Sequence, residues 1–200
     1  MFISEEEIMP QQIENAKEVL MSCGKTHMLS ENSGKLLNVR ELTAECHMAV
    51  GTFYHYFNSK DDLIRQIMDA DWTKIIDSMD PIIAGTLSLH DKVEAAYRMI
   101  AEFDSHYRSS ALAQLTPSEE NDLFREKGLR LLYDKIRLFL QSEINAGRIE
   151  LSASPDSAAY LMVQLFLATG RNPAMDFEEL WKCMTFYEKS ACRKQAAGKK

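Results

Sequence analysis

The chain has 200 residues, 46% hydrophobic and 26% charged, with a formal net charge of -7. That apolar fraction is enough to bury a core and excludes a disordered chain, while five Pro and eight Gly leave little room for a strand-and-turn fold. The negative charge counts against nonspecific attraction to nucleic acid, but net charge says little about a local site.

Helical periodicity runs through nearly every segment. The first predicted helix starts at Pro10 and carries Ile13, Ala16, Leu20 and Cys23 on one face. Gly24 is one possible stop, and the polar stretch Ser30 to Lys35 is the stronger loop signal. A short helix capped by Asn38 follows, with Val39, Leu42, Thr43 and Cys46 at i, i+3, i+4, i+7. After a tight break at His47-Met48, a second short helix runs from Ala49 to Phe57. Ser59-Lys60-Asp61-Asp62 then opens a longer helix with Leu63, Ile67, Trp72 and Met79 on its stripe, closed by Asp80-Pro81.

Beyond it, Ser88-Leu89-His90-Asp91 starts a helix carrying Val93, Tyr97, Ile100, Phe103 and Tyr107, and a short segment from Ser110 to Leu115 intervenes. Thr116, Pro117 and Glu119 read as cap, first-position proline and third-position acid of a helix that Gly147 stops. Ser154-Pro155-Asp156 begins a helix ended by Gly170, and a last helix spans Asp176 to Cys192. No strand or internal repeat is expected, so the fold class is all-α. The basic tail, residues 193–200, reads as disordered.

The cysteines Cys23, Cys46, Cys183 and Cys192 lack C-x-x-C spacing, and no His stands at metal-ligand spacing from them. Cys23, Cys46 and Cys183 fall on apolar stripes, as reduced core thiols do. The first residues are acidic where a secretory signal is basic, and the apolar run Tyr160 to Ala168 is too short to span a bilayer. A cytoplasmic protein without a membrane partner is expected.

Residues 38 to 64 carry the functional signal. Two short helices joined by a tight turn must pack on their neighbours, which frees the second to enter a major groove. Hydroxyls and a lysine cluster there, at Thr52, Tyr54, Tyr56 and Lys60, together with His55, and such groups suit phosphate oxygens. The run Val39-x-x-Leu42-Thr43, then Gly51-Thr52-Phe53-Tyr54-His55-Tyr56-Phe57-x-Ser59-Lys60-x-x-Leu63, resembles the DNA-binding region of the TetR family of bacterial regulators. The resemblance covers about a quarter of the chain, with a looser match at Ala16, Leu20 and Gly24.

The resemblance implies a helix-turn-helix domain over residues 1–64 and an effector-binding and dimerisation domain over residues 65–192. It places Arg40 within reach of a base or phosphate. Ala49, Val50, Gly51 and Thr52 begin the reading helix, Tyr54, Tyr56 and Lys60 hold phosphates, and Phe53 and Phe57 are core. The turn residue that is usually Gly is His47, and position 50 offers only the apolar Val50. Residues 1 to 60 hold five Lys and Arg against eight Glu, so weak nonspecific binding and dependence on a dimer are expected.

The implied partners are double-stranded operator DNA, a second copy of the chain and an unknown small-molecule effector. The apolar segment Ala158 to Gly170 and the last helix, with Phe177, Leu180 and Trp181, are the candidate dimer helices. Candidate pocket residues are Tyr97, Phe103, His106 and Tyr107, then Phe124 and Tyr133, then Tyr160 and Gln164. The expected function is a repressor of a palindromic operator, released when an effector reorients the helix beginning at Asp62. No catalytic residue, metal or cofactor is expected, since no nucleophile elbow, phosphate loop or metal helix occurs. The alternative is a TetR-like protein with degenerate DNA reading that acts through protein partners.

Overall fold

The computed structural model describes residues 15–29, 36–172, 174–184 and 187–188. It divides into two compact units, residues 1–67 and 68–200. The chain is all-α. The described residues form α1 (Ala16–Leu29), α2 (Val39–Glu45), α3 (Val50–Tyr56), α4 (Lys60–Ala84), α5 (Leu89–Ser110), α6 (Glu119–Asn145), α7 (Pro155–Gly170) and α8 (Phe177–Cys183). A single 3-10 turn, Leu112–Gln114, follows α5.

In the first unit, α1 begins at Ala16, immediately after Asn15 at φ 68°, so the helix does not run back through that residue. Pro10 and Ile13, as well as the loop residues 30–35, lie outside the described residues. Gly24 does not stop α1. A Cβ there would lie 3.0 Å from Ile67 Cδ1 and 3.2 Å from Leu63 Cδ2, so the missing side chain sets how closely α1 and the start of α4 approach. Leu20, Leu42, Phe53, Phe57, Leu63 and Ile64 are all at most 1% exposed. Each stabilises by about 2 kcal/mol over an exposed position.

Helix α4 continues through Pro81 to Ala84, past the expected stop. Proline removes a single donor, the one that would reach the carbonyl of residue 77. So near the helix end that loss falls at an exposed residue that water reaches.

The second unit's core sits between α5, α6 and α7, around Val93, Ile100, Leu132, Ile136, Val163 and Phe166. Ser88 and Ser154 cap α5 and α7 as expected, accepting from Asp91 N–H and Ser157 N–H. The cap of α6 is Ser118, whose hydroxyl accepts from Asn121 N–H, and not Thr116. The Thr116 carbonyl instead accepts from the buried Asn121 side chain at 2.7 Å, which fixes Thr116 ahead of the helix. Gly147, at φ 67°, ends α6.

Lys92 and Glu143 form a buried ion pair at 3.1 Å, with side chains 4% and 1% exposed. Lys92 also donates to the Ile83 carbonyl at 2.8 Å, and Arg148 donates to both oxygens of Glu143. Burial alone would raise the Glu143 carboxyl, but the hydrogen bonds from Arg148 and Lys92 outweigh it and hold it below the usual range.

The expected last helix, Asp176 to Cys192, is overturned in its second half. Helix α8 ends at Cys183, and Tyr187–Glu188 form a short strand β2, antiparallel to β1 (Ile149–Glu150). Pairing over that sequence separation is invisible to local periodicity. Residues 189–200, including Cys192 and the basic tail, lie outside the described residues. Cys183 is exposed, against the expectation of a core thiol, whereas Cys46 is buried and Cys23 half-buried. Burial, with a hydrogen bond that the Cys46 S–H donates to Cys23, pushes the Cys46 thiol up to about 12.

Candidate nucleic-acid interface

The turn between α2 and α3 is built by hydrogen bonds that the sequence makes locally. Asn38 Oδ1 accepts from Arg40 N–H at 2.9 Å and Glu41 N–H at 3.4 Å, which starts α2. At its other end Met48 N–H donates to Thr43 O at 2.8 Å and His47 N–H to Ala44 O at 3.1 Å. That closure needs a left-handed residue at position 47, and His47 adopts φ 54°. Thr43, 1% exposed, satisfies its hydroxyl on the carbonyls of Val39 and Arg40. The expected break at His47-Met48 is therefore present.

Helix α3 is held by Phe53, 0% exposed, and by Phe57 at its end, 1% exposed, and the two rings lie 5.3 Å apart. With that face fixed inward, Val50 (37% exposed), Gly51, Tyr54 (58% exposed) and His55 face outward. Tyr56 is 38% exposed, its ring 4.8 Å from His55 in an edge contact, and Thr52 is half-buried. Ala49, the N-cap, and Arg40 are exposed, and Lys60 at the first position of α4 is half-buried. The α4 start is fixed by Ser59 Oγ accepting from Asp62 N–H at 3.1 Å, while Asp62 accepts from Asn58 N–H at 2.8 Å.

Gly51 is informative because the fold does not require it. A Cβ there would meet nothing within 4 Å, and its φ lies outside the left-handed region. A helix glycine with open space outside suits close approach by something else.

The second unit contains a cavity of about 220 Å³ with Trp72, Ile100, Phe103, Phe124, Leu132 and Leu167 among its walls. Of the sequence-predicted pocket residues, Phe103 and Phe124 line it and the other six do not. Tyr97 packs on Phe166 and Phe177, and His106 is exposed. Tyr107 is buried and donates to Asp71, and its hydroxyl is pushed up by burial and then by that carboxylate. Tyr133 stacks on Tyr160 at 5.4 Å and accepts from Gln164 Nε2 at 2.6 Å, a cluster on another face. Trp72, Arg125, Gly128 and Arg171 of the wall were not anticipated. Gly128 meets Trp72 from 56 residues away in sequence, so no local pattern signals the void.

The first unit is a helix-turn-helix head and the second a helical domain, the architecture of a DNA-binding regulator. The profile of the tetR family of bacterial regulatory proteins matches residues 28–67, over the whole helix-turn-helix. That match places the helix-turn-helix of residues 28–67 in the TetR family of bacterial regulatory proteins. No curated protein matches it in sequence. Among solved structures it is similar to NemR from E. coli in its reduced form, with TM-score 0.63 and 18% identity over 83% of this chain and 91% of that one. A TetR/AcrR regulator from Thermobifida fusca gives TM-score 0.65 and 14% identity, over 84% of this chain and 96% of that one. FadR from Bacillus subtilis, solved with stearoyl-CoA, gives 0.63 and 14%, over 84% of this chain and 94% of that one. These likenesses show the shared fold.

Proposed function

We propose that the chain is an effector-responsive repressor that binds a palindromic operator as a homodimer in the cytoplasm. The observation that carries the reading is α3, whose inner face is anchored by Phe53 and Phe57 while Val50, Gly51 and Tyr54 stand clear. Gly51 lets the backbone approach base edges, and Tyr54, Tyr56, Lys60 and Arg40 reach phosphates. Thr52, Ala49 and His55 border the same surface.

The dimer surface supported best differs from the sequence expectation. Phe177 and Leu180 of α8 are buried, so that helix turns its apolar face inward. Helices α6 and α7 instead expose Leu123, Leu131, Leu138, Tyr160 and Leu161, each more than 40% accessible. Two such helices from each copy make a four-helix contact about a two-fold axis. The cavity is the effector site in this reading. Helix α4 presents Lys60 at its first position and carries Met68 and Trp72 into the cavity wall, so a ligand that favours one pose of α4 changes DNA affinity.

Fluorescence anisotropy on DNA from the gene's own upstream region tests the proposal, beside a scrambled duplex at two salt concentrations. Tight, saturable binding to the upstream DNA alone, lost on Tyr54→Ala with Lys60→Ala, is the expected result. No binding to any duplex, including pools selected from random DNA, overturns it in favour of a protein-partner role.

A further inference from the structure

We propose that the cavity of the second unit takes an apolar monocarboxylate. This deepens the proposed function and rests on its reading of that cavity as the effector site. Its size sets the body of the ligand. An apolar cavity of about 150 Å³ accepts a benzene ring. The present cavity of about 220 Å³ therefore suits a body of roughly eight to ten carbons.

The charged groups set the head. The cavity lining contains three charged residues, Asp104, Arg125 and Arg171, in an otherwise mainly apolar wall. Asp104, 7% exposed, already accepts from Arg171 through both oxygens, at 2.9 and 3.2 Å, and Arg108 Nε stands 3.3 Å from it. A cationic ligand would have to displace two guanidinium groups from that carboxylate. The Trp72 indole N–H is also engaged, donating to the Gly128 carbonyl at 3.1 Å.

Arg125 is different. Its one ion pair is with Asp122, at 2.8 Å on the preceding turn, and that carboxylate is 73% exposed. A solvated pair of this kind contributes at most about 1 kcal/mol. A guanidinium has five N–H donors, and one contact to Asp122 leaves the planar fork able to take a second carboxylate. Arg125 and Arg171 are 37% and 46% exposed, which puts them at the mouth, where an acid head meets them while its tail lies against Phe103, Phe124 and Leu167. The lining itself holds two arginines against one carboxylate, so its charge balance is cationic.

Calorimetric titration of the full chain with octanoate, octanol and octylamine tests this. Octanoate is expected to bind saturably and about tenfold tighter than octanol, with octylamine weaker still. Arg125→Gln, checked for an unchanged melting temperature, is expected to bring octanoate down to the level of octanol. Octanol binding as tightly as octanoate, octylamine binding best, or an Arg125→Gln variant that still prefers octanoate overturns the acid assignment and leaves the cavity reading standing. Failure of all three to bind overturns both.

Discussion

His47 and Gly147 hold the same position in the same helix closure, one in each unit. After α2, Met48 N–H returns to Thr43 O at 2.8 Å, and after α6, Arg148 N–H returns to Glu143 O at 3.0 Å. The central residue is left-handed in both, at φ 54° and 67°. Glycine adopts that conformation freely and histidine does so at a cost. Replacing His47 with Gly is expected to stabilise the protein by about 0.5–1 kcal/mol, and Gly147→Ala to destabilise it by about 1 kcal/mol. Urea unfolding of the two variants measures both, and a destabilised His47→Gly would show that the imidazole makes a compensating contact.

Gly51 is expected to separate folding from DNA binding. With open space at its Cβ, Gly51→Ala is expected to leave stability unchanged or raise it by about 0.5 kcal/mol. The same change is expected to weaken operator binding about tenfold by holding the backbone off the bases. Anisotropy and thermal unfolding on one preparation check the pair of outcomes. An unaffected affinity would place the groove contact elsewhere on α3.

The Lys92–Glu143 pair is expected to respond asymmetrically to substitution. Glu143→Gln leaves a buried ammonium without its counter-ion and is expected to cost about 3–5 kcal/mol. The double change Lys92→Met with Glu143→Leu is expected to recover much of that, because neither charge then needs burial. The Glu143 carboxyl is lowered in the fold, so its contribution is present above the unfolded carboxylate value and is lost as pH falls through the folded one. Acid unfolding of wild type against the double variant reads this directly, the variant holding to lower pH.

His90 makes the opposite pH signature. Its Nε2 lies 3.0 Å from Glu178 on α8 and its Nδ1 3.3 Å from Asp91, with the Trp181 ring at 5.1 Å. Burial would lower the imidazole, but the hydrogen bonds to Asp91 and Glu178 prevail and raise it. Its contribution is full below the unfolded value of about 6.5 and is lost as pH rises through the folded one. Trp181 fluorescence is expected to report looser α8 docking on that rise, and His90→Gln to remove the dependence. A flat profile in wild type would sink the idea.

The parts legible in the sequence were those made by local chemistry. Asn38, Ser88 and Ser154 are caps because each side chain reaches N–H groups two or three residues ahead. Thr116 and Ser118 offered the same local signal, and only the Asn121 side chain, folded back on the Thr116 carbonyl, decided between them. Helix α3 was legible because Phe53 and Phe57 share a face four residues apart. The cavity was not, because helical spacing says which aromatic residues face inward but not where facing helices leave a gap. Tyr97 closes against Phe166, while Phe103 borders space. The β1–β2 pairing joins residues 149 and 188, beyond any local pattern.

The helix glycines Gly24, Gly170 and Gly51 answer to two different constraints. Gly24 is pressed by Ile67 and Leu63, and Gly170 by Ala101 Cβ at 3.2 Å, whereas Gly51 faces open space. A stabilisation scheme that converts helix glycines to alanine wholesale treats them alike. At Gly170 the added methyl would press on the Ala101 Cβ, at Gly24 the side-chain tips of Ile67 and Leu63 would have to shift to admit it, and at Gly51 it would pass every stability screen. A sequence drifting under selection for folding alone would therefore keep the first two glycines and lose the third.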